Sequence, residues 1–154
     1  MPRLAHTQDL AGLSKLYQEL RPNDLVIQGP VFQSALAQLI ANPGVRLVVQ
    51  EVDGVLVSTC MLGVVPCLAH GARPFGVMEH VVTLASHRRR GFSRAVIEAT
   101  LDMAWAADCY KVLLLSGASL HAAHALYEAI GFEGDVERGF VVKAPANGHH
   151  HPHA

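Results

Sequence analysis

The stretch HRRRGFSRAVIEA, His87–Ala99, decides how this chain is read. Three arginines run into a glycine, and an apolar helical pattern opens behind it. Only 16% of the residues are charged, so three adjacent positive charges call for a reason. Upstream, Phe75–Leu84 has the composition of a long strand. Downstream, Gly91–Ala107 is patterned as an amphipathic helix, and Lys111–Leu115 as a short apolar strand expected to be buried on both faces. Strand, loop, helix and strand make a crossover unit, so the two strands should be parallel. The first turn of the helix would point unpaired N–H groups outward and carry about half a positive charge. That is an anion site before any side chain is considered. Gly91 would let a phosphate approach the backbone, Ser93 would add a hydroxyl donor, and Arg88, Arg89 and Arg90 would neutralise charge. The competing reading is a solvated basic loop. No GxxxxGK[ST] pattern occurs, which excludes a P-loop nucleotide site.

Working outward, Thr7–Leu20 carries Leu10, Leu13, Leu16, Tyr17 and Leu20 at helical spacing, with Thr7 as the expected cap. Val31–Ile40 reads as a second helix, and the loop Asp24–Pro30 between them as a possible wall of a substrate site. Val45–Val52 and Val55–Val65 are rich in β-branched residues and flank Asp53-Gly54, a strong hairpin signal. Cys67–Pro74 is a loop. Leu120–Ile130 is a helix stopped by Gly131, and Gly139–Lys143 is expected to form a last strand. The expected fold class is α/β (α+β): a mixed, mostly antiparallel sheet covered by helices on both faces. One domain is expected over residues 1–145, followed by a disordered His-rich tail, 146–154.

Composition narrows the function. A net charge of −1 and a pI near 6.8 argue against a general nucleic-acid partner. No apolar run reaches the roughly 18–20 residues of a membrane span, and the N-terminus lacks the pattern of a signal peptide, so a cytoplasmic location is expected. Cys60, Cys67 and Cys109 form no CxxC pair and read as free thiols. Cys109 reads as core. No metal site is expected; the tail has four histidines in its last six residues and is read as a disordered end.

Arg88-x-x-Gly91-x-Ser93, after a strand and opening a helix, resembles the pyrophosphate loop of the GNAT superfamily of acyl-CoA-dependent N-acetyltransferases. That loop usually reads R/Q-x-x-G-x-G/A, from which Ser93 departs by one small residue. MEHVVTLASHR, Met78–Arg88, looks like the family's central strand, and HALYEAIGF, His124–Phe132, like its closing helix. MEHVV and CYKV also show local similarity to glucosamine-6-phosphate N-acetyltransferases. The resemblance implies a cleft where the strands at Phe75–Leu84 and Lys111–Leu115 splay apart. Acetyl-CoA, the implied cosubstrate, would lie there. Its pantetheine arm would pair with Val81, Val82 and Thr83, and its pyrophosphate would rest on the backbone of Arg89, Arg90, Gly91, Phe92, Ser93 and Arg94, with Arg88 leading in.

The resemblance further implies transfer of an acetyl group to a small-molecule amine. Tyr127 stands where the superfamily often keeps the acid that protonates the departing thiolate; its alternative is a packed ring with a satisfied hydroxyl. Glu79 is the candidate base or amine-orienting group, its alternatives being an ion pair with an arginine such as Arg73, or plain exposure. His80, on the opposite face of the strand, is a lesser candidate. The oxyanion donor expected in the family is a backbone N–H near Val82. At Leu120 the superfamily often has a cofactor-contacting Asn, which Ser116, Ser119 or His121 would have to replace. Two other readings stay open: an acyl-CoA-binding regulatory module without turnover, and acetylation of a protein N-terminus or lysine. Superfamily members often form homodimers.

Overall fold

A computed structural model of the chain describes residues 1–146; the tail expected to be disordered lies outside the described residues. A short strand, β1 (Arg3–Leu4), precedes a 3-10 turn at Thr7–Asp9 and helix α1 (Leu10–Leu20). The sequence offered no sign of β1, whose two residues owe their strand geometry to pairing with Val48 and Val49. The expected Thr7 cap is not used. Instead the Asp9 carboxylate accepts the His6 N–H at 2.7 Å and a forked contact from the Arg3 guanidinium at 2.8 and 3.1 Å. That guanidinium holds the Asp9 carboxyl below its ordinary range.

Helix α2 (Gly29–Ala41) follows, with Pro30 in its first turn. Strands β2 (Val45–Val52) and β3 (Val55–Val65) form the hairpin expected around Asp53-Gly54, whose φ angles of 50° and 78° are those of a tight two-residue turn. The loop expected at Cys67–Pro74 contains a left-handed turn, α3 (Ala69–Ala72), with φ angles of 51°, 71° and 61° at His70, Gly71 and Ala72. Strand β4 (Phe75–Thr83), helix α4 (Phe92–Ala106), strand β5 (Val112–Leu114) and helix α5 (His121–Ile130) complete the order.

The sheet has five strands in the order β1-β2-β3-β4-β5. All neighbours are antiparallel except β4 and β5, which are parallel as the crossover predicted. One face buries Leu13, Leu16 and Leu36 from α1 and α2 against Leu47, Val49, Leu56 and Val82. The other buries Val96 and Ile97 of α4 against Val48, Cys60 and Met78, with Tyr127 and Ile130 of α5 at its margin. The fold is thus the mixed, mostly antiparallel sheet with helices on both faces.

Two expectations fail. Strand β5 is half-buried, not buried on both faces, because it is the sheet's edge and pairs over only three residues. Gly139–Lys143 is not a strand. Phe140 and Val142 are 86% and 97% exposed, and no backbone bond ties the segment to the sheet. A β-branched run becomes a strand only where a neighbouring edge accepts its ladder, and this one meets none.

Helix α1 sits close to the sheet because of Gly12. A Cβ at that position would stand 2.8 Å from Leu56 Cγ and 3.1 Å from its Cβ. Those atoms belong to a buried side chain near its own backbone and cannot swing away. Gly12→Ala gains about 1 kcal/mol of helix propensity, but overpacking costs about 1–3 kcal/mol. We expect a net loss, read as a fall in Tm of roughly 2–4 °C per kcal/mol. An unchanged or higher Tm would show that α1 is not seated on Leu56.

Candidate active site

Strand β4 is longer than its parallel partner. Pairing with β5 runs through Gly76–Val112, Val77–Leu113 and Met78–Leu114, and stops there. From Glu79 onward, β4 presents an edge without a partner strand. At that point the strand also bulges. Opposite β3, Met61 pairs with Glu79 and Thr59 with Val82, so two residues, His80 and Val81, face the single residue Cys60. His80 takes the extra place with a left-handed φ of 55°. A one-residue bulge inverts the alternation of a strand. Met78 and Val81 therefore both pack toward α4, while Val82 packs toward α1.

This overturns one expectation. His80 does not lie on the face opposite Glu79. The bulge turns it toward α1, edge-on to the Tyr17 ring at 5.7 Å between centroids, and both residues line the same cleft. That cleft, about 320 Å³, is bounded by Leu20 and Arg21 at the end of α1, by Glu79, His80 and Val81, and by Tyr127 of α5. Leu120, Ser116 and Gly117 close its β5 side. A second hollow of about 540 Å³ lies beside α1, between Lys15, Gln18, Glu19, Pro22 and Leu84. Of the loops 21–30 and 67–75, expected to shape an acceptor site, Arg21 and Pro22 line the hollows, whereas residues 23–30 and 67–75 line neither. Asp24 is instead tied back to Arg21 at 2.7 Å.

Glu79 is exposed in the cleft and makes no ion pair among the described residues. Of the alternatives for Glu79, the structure shows plain exposure, because Arg73 pairs with Asp108 at 3.1 Å instead. Tyr127 packs edge-on against Phe132 at 5.8 Å. Its half-buried position raises its phenol above the ordinary value. The hydroxyl has no partner among the described residues. No buried side-chain polar atom there lacks one, so the hydroxyl opens onto the cleft.

Beyond Thr83 the chain makes a 3-10 turn, Ala85–His87, and enters α4 through Gly91 at φ 82°. Only glycine takes that conformation without strain. The amides of Arg89, Arg90, Gly91, Phe92, Ser93 and Arg94 have no hydrogen-bond partner among the described residues; the first amide of the helix to find one is Ala95, bonded to Gly91 at 3.0 Å. The arginines behave differently from expectation. Arg88 donates to the Thr83 carbonyl at 3.1 Å and to Glu19 at 3.2 Å, while Glu19 also accepts the Ala85 N–H at 2.8 Å. Arg90 lies over the Phe92 ring at 5.2 Å, and Arg94 pairs with Glu98 at 2.8 Å. Arg88 thus braces the loop on α1, and the unpaired amides are the loop's main offering to an anion. Sequence reading missed Glu19, because nothing local links it to a loop 66 residues away.

Ser93 is also used differently. Its hydroxyl lies 2.6 Å from that of Thr83, which lies 2.7 Å from that of Ser58, which donates to the Val82 carbonyl at 3.2 Å. A carbonyl only accepts, so the hydrogens must run in one direction: Ser93 to Thr83, Thr83 to Ser58, Ser58 to Val82. The Ser93 hydrogen is consumed inside the protein and is not free for a phosphate. The same bonds orient the strand. The Leu84 N–H reaches Val57 of β3 at 2.9 Å, and the Val82 carbonyl also faces β3. By alternation, Val81 and Thr83 turn their amides to the open edge. The backbone of Val82, where an oxyanion donor was expected nearby, therefore faces β3 and not the open edge.

An amide cradle at a helix start, beside a strand pair that parts midway, is the arrangement that the resemblance implied. The family model described as Acetyltransferase (GNAT) family matches residues 13–132. The chain belongs to the GNAT family. This GNAT enzyme is similar to a provisionally assigned acetyltransferase from Agrobacterium tumefaciens str. C58, at 38% identity over 94% of this chain and 99% of that one, with a TM-score of 0.88. A Trypanosoma brucei acetyltransferase matches at 25% identity, with a TM-score of 0.80, over 94% and 99% of the two chains. Glucosamine-6-phosphate N-acetyltransferase from Arabidopsis thaliana shares the fold at 18% identity, with a TM-score of 0.77, over 96% and 98%. This GNAT protein is accordingly an acyltransferase of a family that uses acetyl-CoA. Among its described residues no helix is long and apolar enough to cross a membrane, and no cluster of three or more His, Cys, Asp or Glu is placed to hold a metal ion.

Ser93→Ala separates the two readings of that hydroxyl. Removing one buried bond of this kind costs about 1 kcal/mol, so we expect a lower Tm. Coenzyme A affinity measured by calorimetry should change less than about threefold, or about 0.7 kcal/mol. A large loss of affinity at unchanged Tm would return Ser93 to the phosphate.

Proposed function

We propose that this enzyme moves an acetyl group from acetyl-CoA directly to a primary amine of a small molecule. The observation that carries this reading is the run of unpaired amides from Arg89 to Arg94, set at the end of an open strand edge that leads into a cleft holding Glu79 and Tyr127. Six N–H groups and a helix N-terminus suit the oxygens of a diphosphate. The open-edge groups of Val81, with the N–H of Thr83, suit an extended amide-bearing arm added as a further strand; the Thr83 carbonyl is already held by Arg88.

Acetyl-CoA supplies the activated acyl group as a thioester. The chain's own residues do the rest. The loop amides and the β4 edge fix the donor along the sheet, and the cleft brings the acceptor to it, which removes the entropic cost of a two-body encounter. Glu79, exposed and unpaired, offers a negative charge that attracts and orients an ammonium group. Open-edge amides of β4 are placed to stabilise the negative oxygen that develops as the amine attacks. Tyr127 holds a proton for the departing sulfur. Burial pushes the phenol above its ordinary value, so it still holds the proton at neutral pH, where the departing thiolate needs it.

Calorimetry with coenzyme A tests the site as a whole: we expect saturable association, and properly folded protein that takes up none would sink the reading. Tyr127→Phe should keep that affinity and lower kcat about a hundredfold, within the span of general-acid effects. Transfer at the wild-type rate would remove Tyr127 from the chemistry.

A further inference from the structure

His80 occupies the least comfortable backbone position in β4. A non-glycine residue in the left-handed region costs roughly 1–3 kcal/mol, and such residues persist where their surroundings over-determine them, often at functional sites. Here the strain has a visible result. Without the bulge, alternation would send the residue after Glu79 into the core beneath α4. With it, the imidazole enters the cleft beside the Glu79 carboxylate, at the place where β5 stops pairing. The ring is half-buried and steadied edge-on by Tyr17. Neither of its nitrogens has a hydrogen-bond partner among the described residues, whereas His87 and His124 both have one. A structural histidine would be expected to spend a nitrogen on a neighbour.

We propose that His80 is the catalytic base that takes the proton from the acceptor's ammonium group, with Glu79 supplying the charge that holds it. Imidazole is the side chain whose ordinary titration falls nearest neutral pH, which suits it to this exchange better than a solvated carboxylate. The groups facing His80 leave it free to work. Tyr17 from α1 is pushed by burial up to about 12, and so stays uncharged at neutral pH. Arg21, after α1, spends its charge on Asp24. Tyr127 from α5 also stays protonated. Of the groups lining the cleft with His80, Glu79 is the carboxylate without an ion-pair partner among the described residues.

The proton balance closes. The ammonium loses one proton to the imidazole, which later releases it to solvent. The freed nitrogen bonds to the acyl carbon as the carbon–sulfur bond breaks. The thiolate takes the Tyr127 proton, and the phenolate is restored by the second proton leaving the nitrogen. No other reactant is needed.

This inference rests on the acetyl-transfer reading above, and two probes keep their failures apart. Butylamine is an ammonium ion at neutral pH and needs a base. Trifluoroethylamine is already unprotonated there and does not. His80→Gly keeps the left-handed backbone without strain, and His80→Gln keeps a polar side chain. With full-length protein at pH 7 and acetyl-CoA as donor, both variants should lose about tenfold or more in kcat/KM for butylamine. Both should lose less than about threefold for trifluoroethylamine and bind coenzyme A as wild type does. Equal losses for the two amines would make His80 a structural residue and overturn the proposal, as would no loss for either. Wild-type protein that binds coenzyme A but acetylates neither amine also overturns it while leaving the cofactor site intact. Absence of coenzyme A binding overturns the transfer reading itself, and the proposal with it.

Discussion

Backbone pairing between β4 and β5 ends at Met78 and Leu114, and the cleft lined by Glu79, His80 and Tyr127 opens from that ending. A parallel pair satisfies its own N–H and C=O groups as far as it runs. Where it stops, β4 keeps going and leaves polar groups to be met by something else. The bulge at His80 falls two residues past Met78, the last position at which β4 pairs with β5. It reverses which side chains face α1 and which face α4, so that the edge and the cleft beside it carry Glu79 and His80 together. An uninterrupted ladder would have buried one of them.

The second element of the design is the brace from α1. Gly12 lets the helix approach β3, and the same helix then delivers Tyr17 to His80 and Glu19 to the loop after β4. Glu19 holds Arg88 and the Ala85 amide, while Arg88 returns to the Thr83 carbonyl. On the other side, the hydroxyl chain Ser93–Thr83–Ser58 ties the first turn of α4 to β4 and β3. The amide cradle is thus clamped from both faces of the sheet. The segment that carries the six unpartnered amides is thereby held in place, and such amides are tolerated only where solvent or a ligand can reach them.

Much of this was legible in local chemistry. The hairpin of β2 and β3 is written in Asp53-Gly54 and its β-branched flanks, and it appears with the expected bounds. The crossover of β4, α4 and β5 is written in the loop-to-helix signal at Gly91. The expected strand Gly139–Lys143 shows the limit of such signals. Its composition favours extended backbone, but a strand exists only with a partner, and partnership is not a local property. The arginines teach the same lesson about charge. Their clustering suggested free positive charge, yet Glu19, Phe92 and Glu98 claim three of the four guanidiniums from Arg88 to Arg94.

What the sequence by itself determined was the type of the main helices, the β2–β3 hairpin and the parallel pair, because these depend on residues a few positions apart. Only the tertiary structure decided where the parallel pair parts, that β4 bulges at His80, that the Ser93 hydroxyl points inward, and that Glu79 stands in solvent. Those outcomes depend on register between strands and on helices arriving from distant parts of the chain. A one-residue shift in register moves a side chain from core to cleft, and no stretch of sequence records it.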